Sequence, residues 1–352
     1  MIFDADVSVI AGGSNWTAWK RASVQYGAKQ AVRAFALTVT DTADWAGKWD
    51  FMPGTEVQVM EGGELMVKGF IDKMTPSYEA KNHHVEIGGR SKGKDSVDSS
   101  VEHDKGEFRD KNILQIAKDL DKQNVGYKSE LADSDMPKLE YFRINPHETV
   151  FEAIERIARK QHLLLIGQPD GGIKIDKGGT RRVNAPLIEG ENIIGASATF
   201  DESDKHSEYK VKGQKVFGGN RKAISIIGTA KDKSVKRNRP KTLTHETATD
   251  EKDAKKRAEA HRDRQFGESV SATIRVRGWR DQNGQHYQPN TLIHVRSPLI
   301  KLDMDLLISD VNCTMDASGS FTSLQLVHPK ALNSKSANAS ASDVWNPDFD
   351  NA

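Results

Sequence analysis

The sequence predicts a mainly β fold with an α+β middle, in which two similar small antiparallel β-barrel domains flank or pack with a small α/β domain. The segment Pro53–Val59 (PGTEVQV) recurs about 240 residues later as Pro289–Val295 (PNTLIHV). Both copies continue into a second apolar strand and a third alternating strand, and helical periodicity is concentrated in the middle of the chain. Because period-two alternation marks strands with one buried face, the repeat predicts two related β units.

Residues 1–97 are predicted to form the first β-barrel-like domain. Alternating segments run from Ala5 to Ala11, from Thr17 to Tyr26 and from Ala34 to Thr40, before a loop rich in Trp, Asp and Gly at 41–54. Together with the three strands of the first repeat, these segments favour a five- or six-stranded barrel or tight sandwich.

Residues 98–180 are predicted to form the small α/β domain. Asn112–Leu120 places its apolar residues on one helical face, and Asn145-Pro146-His147-Glu148 has the composition of a second helix start. An apolar stripe follows, made of Val150, Ala153, Ile154, Ile157 and Ala158. The apolar strand Leu163–Ile166 then turns through a Pro-Asp-Gly-Gly sequence into a second strand, which predicts a hairpin.

Residues 181–332 are predicted to form the second β-barrel-like domain, which contains the second repeat and an inserted helix at about 250–265. That helix has only Ala254 and Ala258 on its inner face, so it is expected to lie flat against this domain. Residues 333–352 are polar and of low complexity, which predicts a flexible C-terminal tail.

Composition excludes several classes of function. The 352 residues carry 51 Lys and Arg against 50 Asp and Glu, a net charge of +1 that gives no global signal for nucleic acid or membrane binding. The single cysteine, Cys313, cannot form an intrachain disulfide and is predicted to be a small buried residue. The N-terminus has no signal-peptide pattern, and the longest apolar run is too short for membrane insertion.

No catalytic, cofactor-binding or metal-binding motif is complete. Gly88–Lys94 has the spacing of a phosphate-binding loop, but Asp95 stands where a Ser or Thr should follow, so a Gly-rich turn is the better interpretation. His147-Glu148 is followed a turn later by Phe151, which removes the zinc-binding pair. We expect no enzyme. Carboxylates that meet only in space leave a cell-wall hydrolase as an alternative.

Two segments are candidate partner contacts. One is a basic stretch without interleaved aromatic residues, formed by Lys231, Lys233, Lys236, Arg237, Arg239 and Lys241. It is either a solvated loop, a contact for an acidic surface, or a DNA-binding module. The other is the end of the tail, where Trp345 and Phe349 form an aromatic patch that either docks on a neighbouring protein or has no role.

The order of several short blocks carries a family resemblance over about residues 5–330. The blocks are Gly89–Lys92 (GRSK), Asn112–Leu120 (NILQIAKDL), His147–Ala153 (HETVFEA), Leu187–Ile193 (LIEGENI), Ser207–Gly213 (SEYKVKG), Gly278-Trp279 and Pro289–Leu292 (PNTL). In this order they resemble the baseplate hub proteins of phage Mu and its relatives, a group related to contractile-tail hubs and to the base of type VI secretion spikes.

The resemblance implies a non-enzymatic homotrimer in the virion tail baseplate, assembled in the host cytoplasm. Each subunit would supply two barrel-like domains to a ring of near six-fold symmetry. The ring would join the hexameric tail tube to a trimeric spike, contact other baseplate proteins, and leave a central channel for transient contact with DNA. The duplicated unit supplies the physical basis, since three chains with two equivalent units each imitate a hexagon.

Overall fold

In the computed structural model, strands dominate and most of them join one large sheet. The structure describes residues 5–40, 51–79, 83–179, 181–214, 225–244 and 250–332. The strands of the first unit are β1 (Val7–Ala11), β2 (Ser14–Trp16), β3 (Arg21–Gly27), β4 (Ala34–Thr40), β5 (Glu56–Glu61), β6 (Glu64–Tyr78) and β7 (His83–Ser91).

The first unit is an antiparallel arrangement whose strands alternate as the sequence predicts. Alternate residues of β4, such as Phe35 and Leu37, are buried and lie in the same core as Val57 and Val59 of β5. The strand β6 is 15 residues long. Its first half pairs with β5 and its second half pairs with β7, so it links two parts of the sheet.

The middle unit has its own hydrophobic core beneath two helices. Its elements are α1 (Lys94–Asp98), β8 (Glu107–Phe108), α2 (Ile113–Leu120), β9 (Tyr127–Ser129), a 3-10 turn (Asp133–Asp135), β10 (Phe142–Arg143), α3 (Val150–Gln161), β11 (Leu163–Gly167) and β12 (Ile173–Lys177). The predicted apolar stripes of α2 and α3 are buried in this core, and β11 and β12 form the predicted hairpin.

The start of α3 differs from the sequence prediction. The helix begins at Val150 with Thr149 as its N-cap, and Glu152 completes the capping box. The segment from Asn145 forms a turn instead, in which Glu148 accepts a hydrogen bond from the Asn145 backbone and pairs with Arg156. Two cap sequences compete here, and the reciprocal bonds between Thr149 and Glu152 satisfy the free N–H groups of the first turn.

The last unit contains the second repeat. Its elements are β13 (Arg181–Arg182), β14 (Leu187–Ile188), β15 (Ile193–Phe200), β16 (Glu208–Gln214), β17 (Ser225–Lys231), β18 (Pro240–Thr244), α4 (Glu251–Glu268), β19 (Val270–Arg277), β20 (Thr291–Ser297), β21 (Leu302–Asp316), β22 (Gly319–Val327) and a 3-10 turn (Pro329–Leu332).

A separate three-stranded sheet of β16, β17 and β18 lies inside the last unit, and α4 packs on it. The helix buries only Ala254, Ala258 and Gly267. Its close approach depends on Gly228, where a Cβ would stand 2.2 Å from the backbone carbonyl carbon of Ala254. The inserted helix is therefore held by small residues, as expected, but against this small sheet.

The mainly β class with an α+β middle is confirmed, whereas the barrel detail is not. Fourteen of the described strands form one sheet. Eleven follow the order β15-β19-β22-β21-β3-β4-β7-β6-β5-β1-β2, while β20 pairs with β21 off this path and itself pairs with β13 and β14. Within the described residues this ladder stays open at both ends, because β3 of the first unit pairs with β21 of the last unit instead of closing its own unit. No described helix is long and apolar enough to cross a membrane.

Candidate functional site

The two β units meet at a junction between β3 and β21. Strands β3 and β21 run antiparallel, with Tyr26 opposite Val311 and Val24 opposite Cys313. These four residues are almost completely buried. The Tyr26 hydroxyl donates a hydrogen bond to the Tyr287 carbonyl at 2.9 Å, and burial raises the pKa of Tyr26 well above its ordinary value. The junction is a continuation of the core, and it fixes the two units side by side.

Cys313 lies in this junction as a packing residue. The side chain is completely buried, with the Thr322 hydroxyl 3.7 Å from its sulfur. Burial raises the pKa of the Cys313 thiol to about 11, so the group stays protonated at neutral pH. Because the thiolate is the nucleophilic form, this cysteine is unsuited to catalysis.

A cluster of charged side chains forms a second link between the units. Arg280 Nε donates to Glu61 Oε2 at 2.8 Å, and Arg280 also pairs with Glu64 at 3.0 Å. The ring of His286 lies between the same carboxylates, 2.8 Å from Glu61 and 3.1 Å from Glu64. Burial acts to raise the pKa of Glu61, but hydrogen bonds from His286 and Arg280 outweigh it and hold that pKa below its ordinary value.

Arg33 connects the first unit to the middle unit. Its side chain is 2% exposed, and it donates to the backbone carbonyls of Gly167 at 3.0 Å and Met66 at 3.1 Å. The guanidinium carbon lies 4.2 Å from the centre of the Tyr26 ring. The buried charge is therefore balanced by carbonyl dipoles and an aromatic face beneath the junction.

The repeat predicted from the sequence is present as two equivalent meanders. Strands β5, β6 and β7 pair in sequence order, as do β20, β21 and β22. Each long middle strand, β6 and β21, is 15 residues long. Each carries an irregularity at its midpoint, between Ile71 and Lys73 in the first and between Ile308 and Asp310 in the second.

The predicted basic stretch occupies the end of β17, a loop and the start of β18. Lys231, Lys233, Lys236 and Arg237 are exposed. Arg239 is committed to the fold, since it donates to the carbonyls of Glu202 and Ser203. Lys241 is half-buried on β18. Four of the six cations are therefore exposed, one binds the backbone carbonyls of Glu202 and Ser203, and one is half-buried. Trp345 and Phe349 lie outside the described residues.

The incomplete motifs have structural roles. Gly88 to Ser91 belong to β7, and Lys94 is the first residue of the short helix α1. Lys94 pairs with Asp72 at 2.6 Å, and Lys92 donates to the Asn124 carbonyl. In the described ranges there is no group of three or more His, Cys, Asp or Glu side chains placed to hold a metal ion.

Three family models match this chain in collinear order. Residues 6–91 match the N-terminal domain of Mu phage baseplate assembly protein GpP-like proteins, and residues 94–177 match the second domain of baseplate hub protein gp44-like proteins. Residues 250–335 match the fourth domain of Mu phage baseplate assembly protein GpP. The chain belongs to the Mu-type baseplate hub family. Its hub domains therefore include both copies of the repeat.

Whole-chain comparisons agree with this family. The hub is 27% identical over 322 residues to baseplate hub protein gp44 of Escherichia phage Mu, covering 88% of this chain and 84% of that protein. The 43 kDa tail protein of prophage MuSo2 from Shewanella oneidensis is 25% identical, with a TM-score of 0.83 over 93% of this chain and 99% of that chain. A type VI secretion component from E. coli shares the fold at 7% identity, with a TM-score of 0.56 over 91% and 76% of the two chains.

The family places the hub in the tail baseplate of a phage virion as a structural protein, since the matched relatives are hub and tail proteins rather than enzymes. The linking residues Glu61, Arg280 and Arg33 were not predicted. Most of their partners are remote in sequence, and Glu61 and Arg280 are separated by 219 positions. Only the charge of Arg33 within an apolar segment offered a signal, and it did not reveal a partner.

Proposed function

We propose that three copies of the hub form a ring of near six-fold symmetry that joins the tail tube to the spike and leaves a channel for DNA. One observation carries the proposal: two equivalent β units lie side by side in one continuous sheet within a single chain. A ring of three such chains presents six similar units, which fits a six-fold tube on one face. The same ring keeps true three-fold symmetry for a trimeric spike on the other face.

The internal junction supports a ring rather than a two-fold dimer. It joins unlike surfaces, the β3 side of one unit and the β21 side of the other. Contacts between unlike surfaces run head to tail, and they close into rings when the rotation between units permits. Repetition of the same kind of contact between chains therefore gives a cyclic assembly.

The solution mass tests the proposal. Light scattering coupled to size exclusion should give three times the chain mass, and negative-stain images should show rings with a central opening. The isolated ring should bind the tube and spike proteins of the same particle when they are mixed. A monomer at all concentrations, or a ring without affinity for either protein, would contradict the proposal.

The four exposed cations of the basic stretch are proposed as a contact for DNA or for an acidic baseplate neighbour. Lys233, Lys236 and Arg237 are exposed in this loop, and among the described residues only Glu202 lies within pairing distance of Arg237, at 3.8 Å. Replacing these three residues with Gln should weaken binding and reduce its salt dependence. The control variant replaces Lys118, Lys122 and Lys138, which are also exposed and lie on the middle unit, with Gln. Equal binding by both variants would exclude this contact.

The aromatic end of the tail is proposed to dock on a neighbouring baseplate protein. Deletion of 336–352 should then reduce particle assembly while leaving the free hub folded. A double Trp345→Ala and Phe349→Ala variant should reproduce the defect if the aromatic side chains are responsible. Full assembly of the truncated hub would show that the tail has no such role.

A further inference from the structure

We propose that β15 of one hub pairs antiparallel with the outer half of β6 in the next hub, so that the sheet continues from subunit to subunit. The partner is a second copy of this chain. The inference rests on the proposed ring and identifies the surfaces that build it. The internal junction between β3 and β21 serves as its template.

The two units share one order of strands, which makes their edges comparable. In the first unit β3, β4, β7 and β6 are neighbours in that order, and in the second unit β15, β19, β22 and β21 follow the same order. The irregularities at Ile71/Lys73 and Ile308/Asp310 align β6 with β21 residue by residue. Strand β15 therefore corresponds to β3, and the outer half of β6 corresponds to the part of β21 that receives β3.

The sequences of the corresponding edge strands agree. Ala22 lies opposite Leu37 in β4, and Ala196 lies opposite Ile274 in β19, the equivalent position. Continuing this alignment matches Arg21–Tyr26 (RASVQY) with Gly195–Phe200 (GASATF). Both strands thus carry Ala-Ser near the start and an aromatic residue at the end.

The register of the β3–β21 junction predicts the register of the contact between subunits. Inside the chain, Tyr26 pairs with Val311, Gln25 with Asn312 and Ser23 with Thr314. The equivalent pairs between subunits are Phe200 with Met74, Thr199 with Thr75, Ala198 with Pro76, Ser197 with Ser77, and Ala196 with Tyr78.

Both proposed edges are open and more exposed than their internal counterparts. In the described part of the chain, β15 pairs only with β19, and the segment from Lys73 to Tyr78 pairs only with β7. No residue of β15 is buried, whereas four of the seven residues of β3 are. Tyr78 is 82% exposed. An edge of this kind invites another strand unless it is covered.

The ends of the two edges are complementary. The pair next to Phe200 and Met74 corresponds to Gly27 and Asp310 of the template, and here it places Asp201 opposite Lys73. Opposite charges across a strand pair stabilise the pairing. Pro76 lacks a backbone N–H, as is usual for a residue on a sheet edge, so this ladder has at most one bond fewer than an ordinary one.

Engineered disulfides test the register in the full chain. A Ser77→Cys and Ser197→Cys variant and a Thr75→Cys and Thr199→Cys variant each place the two thiols in directly opposite positions. Opposite residues of antiparallel strands have Cα atoms within disulfide range. Mild oxidation should convert most of either variant into a covalent three-chain species on non-reducing gels.

Two control variants calibrate the extent of disulfide cross-linking. Ser23→Cys with Thr314→Cys bridges the internal junction and should form an intrachain disulfide. Ser197→Cys with Thr75→Cys is displaced by two residues, so it should cross-link at least several-fold less than either direct pair.

The outcomes distinguish the inference from the ring itself. A trimer in solution whose direct pairs fail to cross-link, while the internal control succeeds, overturns the strand pairing and leaves the ring intact. Preferential cross-linking of the displaced pair overturns the register. A monomer in every variant and in the wild type overturns both the pairing and the ring.

Discussion

Individual charged side chains link the units of the hub in addition to the backbone pairing of β3 with β21. Glu61 accepts hydrogen bonds from an arginine and lies beside a histidine of the other unit, and Arg33 links three separate segments of backbone and ring. Each of these charges is largely buried, so removal of one partner leaves the others without compensation. Such residues therefore fix the position of one unit relative to another.

Replacing Glu61 with Gln should lower the free energy of unfolding by about 1.5–3 kcal/mol at pH 7, the range for hydrogen bonds to charged groups. Because the folded pKa of Glu61 lies below the unfolded value, its stabilisation is present above the unfolded pKa and is lost as pH falls through the folded pKa. The free energies of urea unfolding of the two proteins should therefore differ at pH 7 and converge as the pH falls below the folded pKa of Glu61.

Glu56→Gln is the matched control for this prediction, since Glu56 lies on the same strand in an exposed pair with Lys68. Its effect should be below about 0.5 kcal/mol. A pH-independent loss in the Glu61 variant would show that the carboxylate charge is not responsible.

Replacing Arg33 with Lys should reduce stability by about 2–3 kcal/mol, because one ammonium cannot match the planar fork that spans two carbonyls and stacks on Tyr26. Hydrogen exchange should also show lower protection in β11, whose Gly167 carbonyl loses its donor. Arg159→Lys on the exposed face of α3 is the control and should change neither measurement. Unchanged protection of β11 in the Arg33 variant would contradict the proposed link.

At the scale of elements, two long strands and one close-packed helix shape the hub. Strand β6 pairs first with β5 and then with β7, and β21 pairs first with β20 and then with β22. The second half of β21 also pairs with β3, so each long strand takes part in two regions of the sheet. The helix α4 has few apolar residues and depends on contact between its backbone and the small sheet. Its position should therefore respond strongly to small increases in volume.

Replacing Gly228 with Ala should displace α4, because the added methyl would stand 2.2 Å from the Ala254 carbonyl carbon and 2.3 Å from the Lys255 nitrogen. We expect a loss of about 1–3 kcal/mol, typical of overpacking, and faster hydrogen exchange across Glu251–Glu268. Thr229→Ala changes the adjacent exposed position and should leave exchange in the helix unaltered. Normal protection of α4 in both variants would contradict this packing.

At the scale of the whole molecule, the proposed pairing joins β15 of one hub to the outer half of β6 in the next. A protein whose folded subunits associate gains apparent stability as its concentration rises, because assembly draws on the folded state only. The hub should behave in this way if the edges pair between copies.

The apparent midpoint of thermal unfolding should therefore rise with hub concentration. Calorimetry over about a hundredfold range of concentration checks this expectation. The oxidised Ser77→Cys and Ser197→Cys variant is the control, since a covalently closed ring should show a midpoint independent of concentration. Identical midpoints for the unmodified hub at all concentrations would argue against assembly.

Much of the fold could be predicted from the sequence because the signals are local. The period-two alternation located β4 and the repeated meanders, and the apolar stripes located α2 and α3. The start of α3 was misplaced because Asn145 and Thr149 both have the chemistry of an N-cap. For the predicted basic contact, the sequence could not show that Arg239 binds the backbone carbonyls of Glu202 and Ser203 while Lys236 remains exposed.

The sequence by itself determined that this protein has two related β units around an α+β middle, because alternation and repetition can be recognised from the order of neighbouring residues. Only the tertiary structure decided that β3 pairs with β21 of the other unit as well as with β4 of its own, and that Glu61 contacts Arg280, 219 positions later in the chain. Strand partners are chosen by the geometry of distant backbone edges, and that choice leaves no periodic trace in the chain.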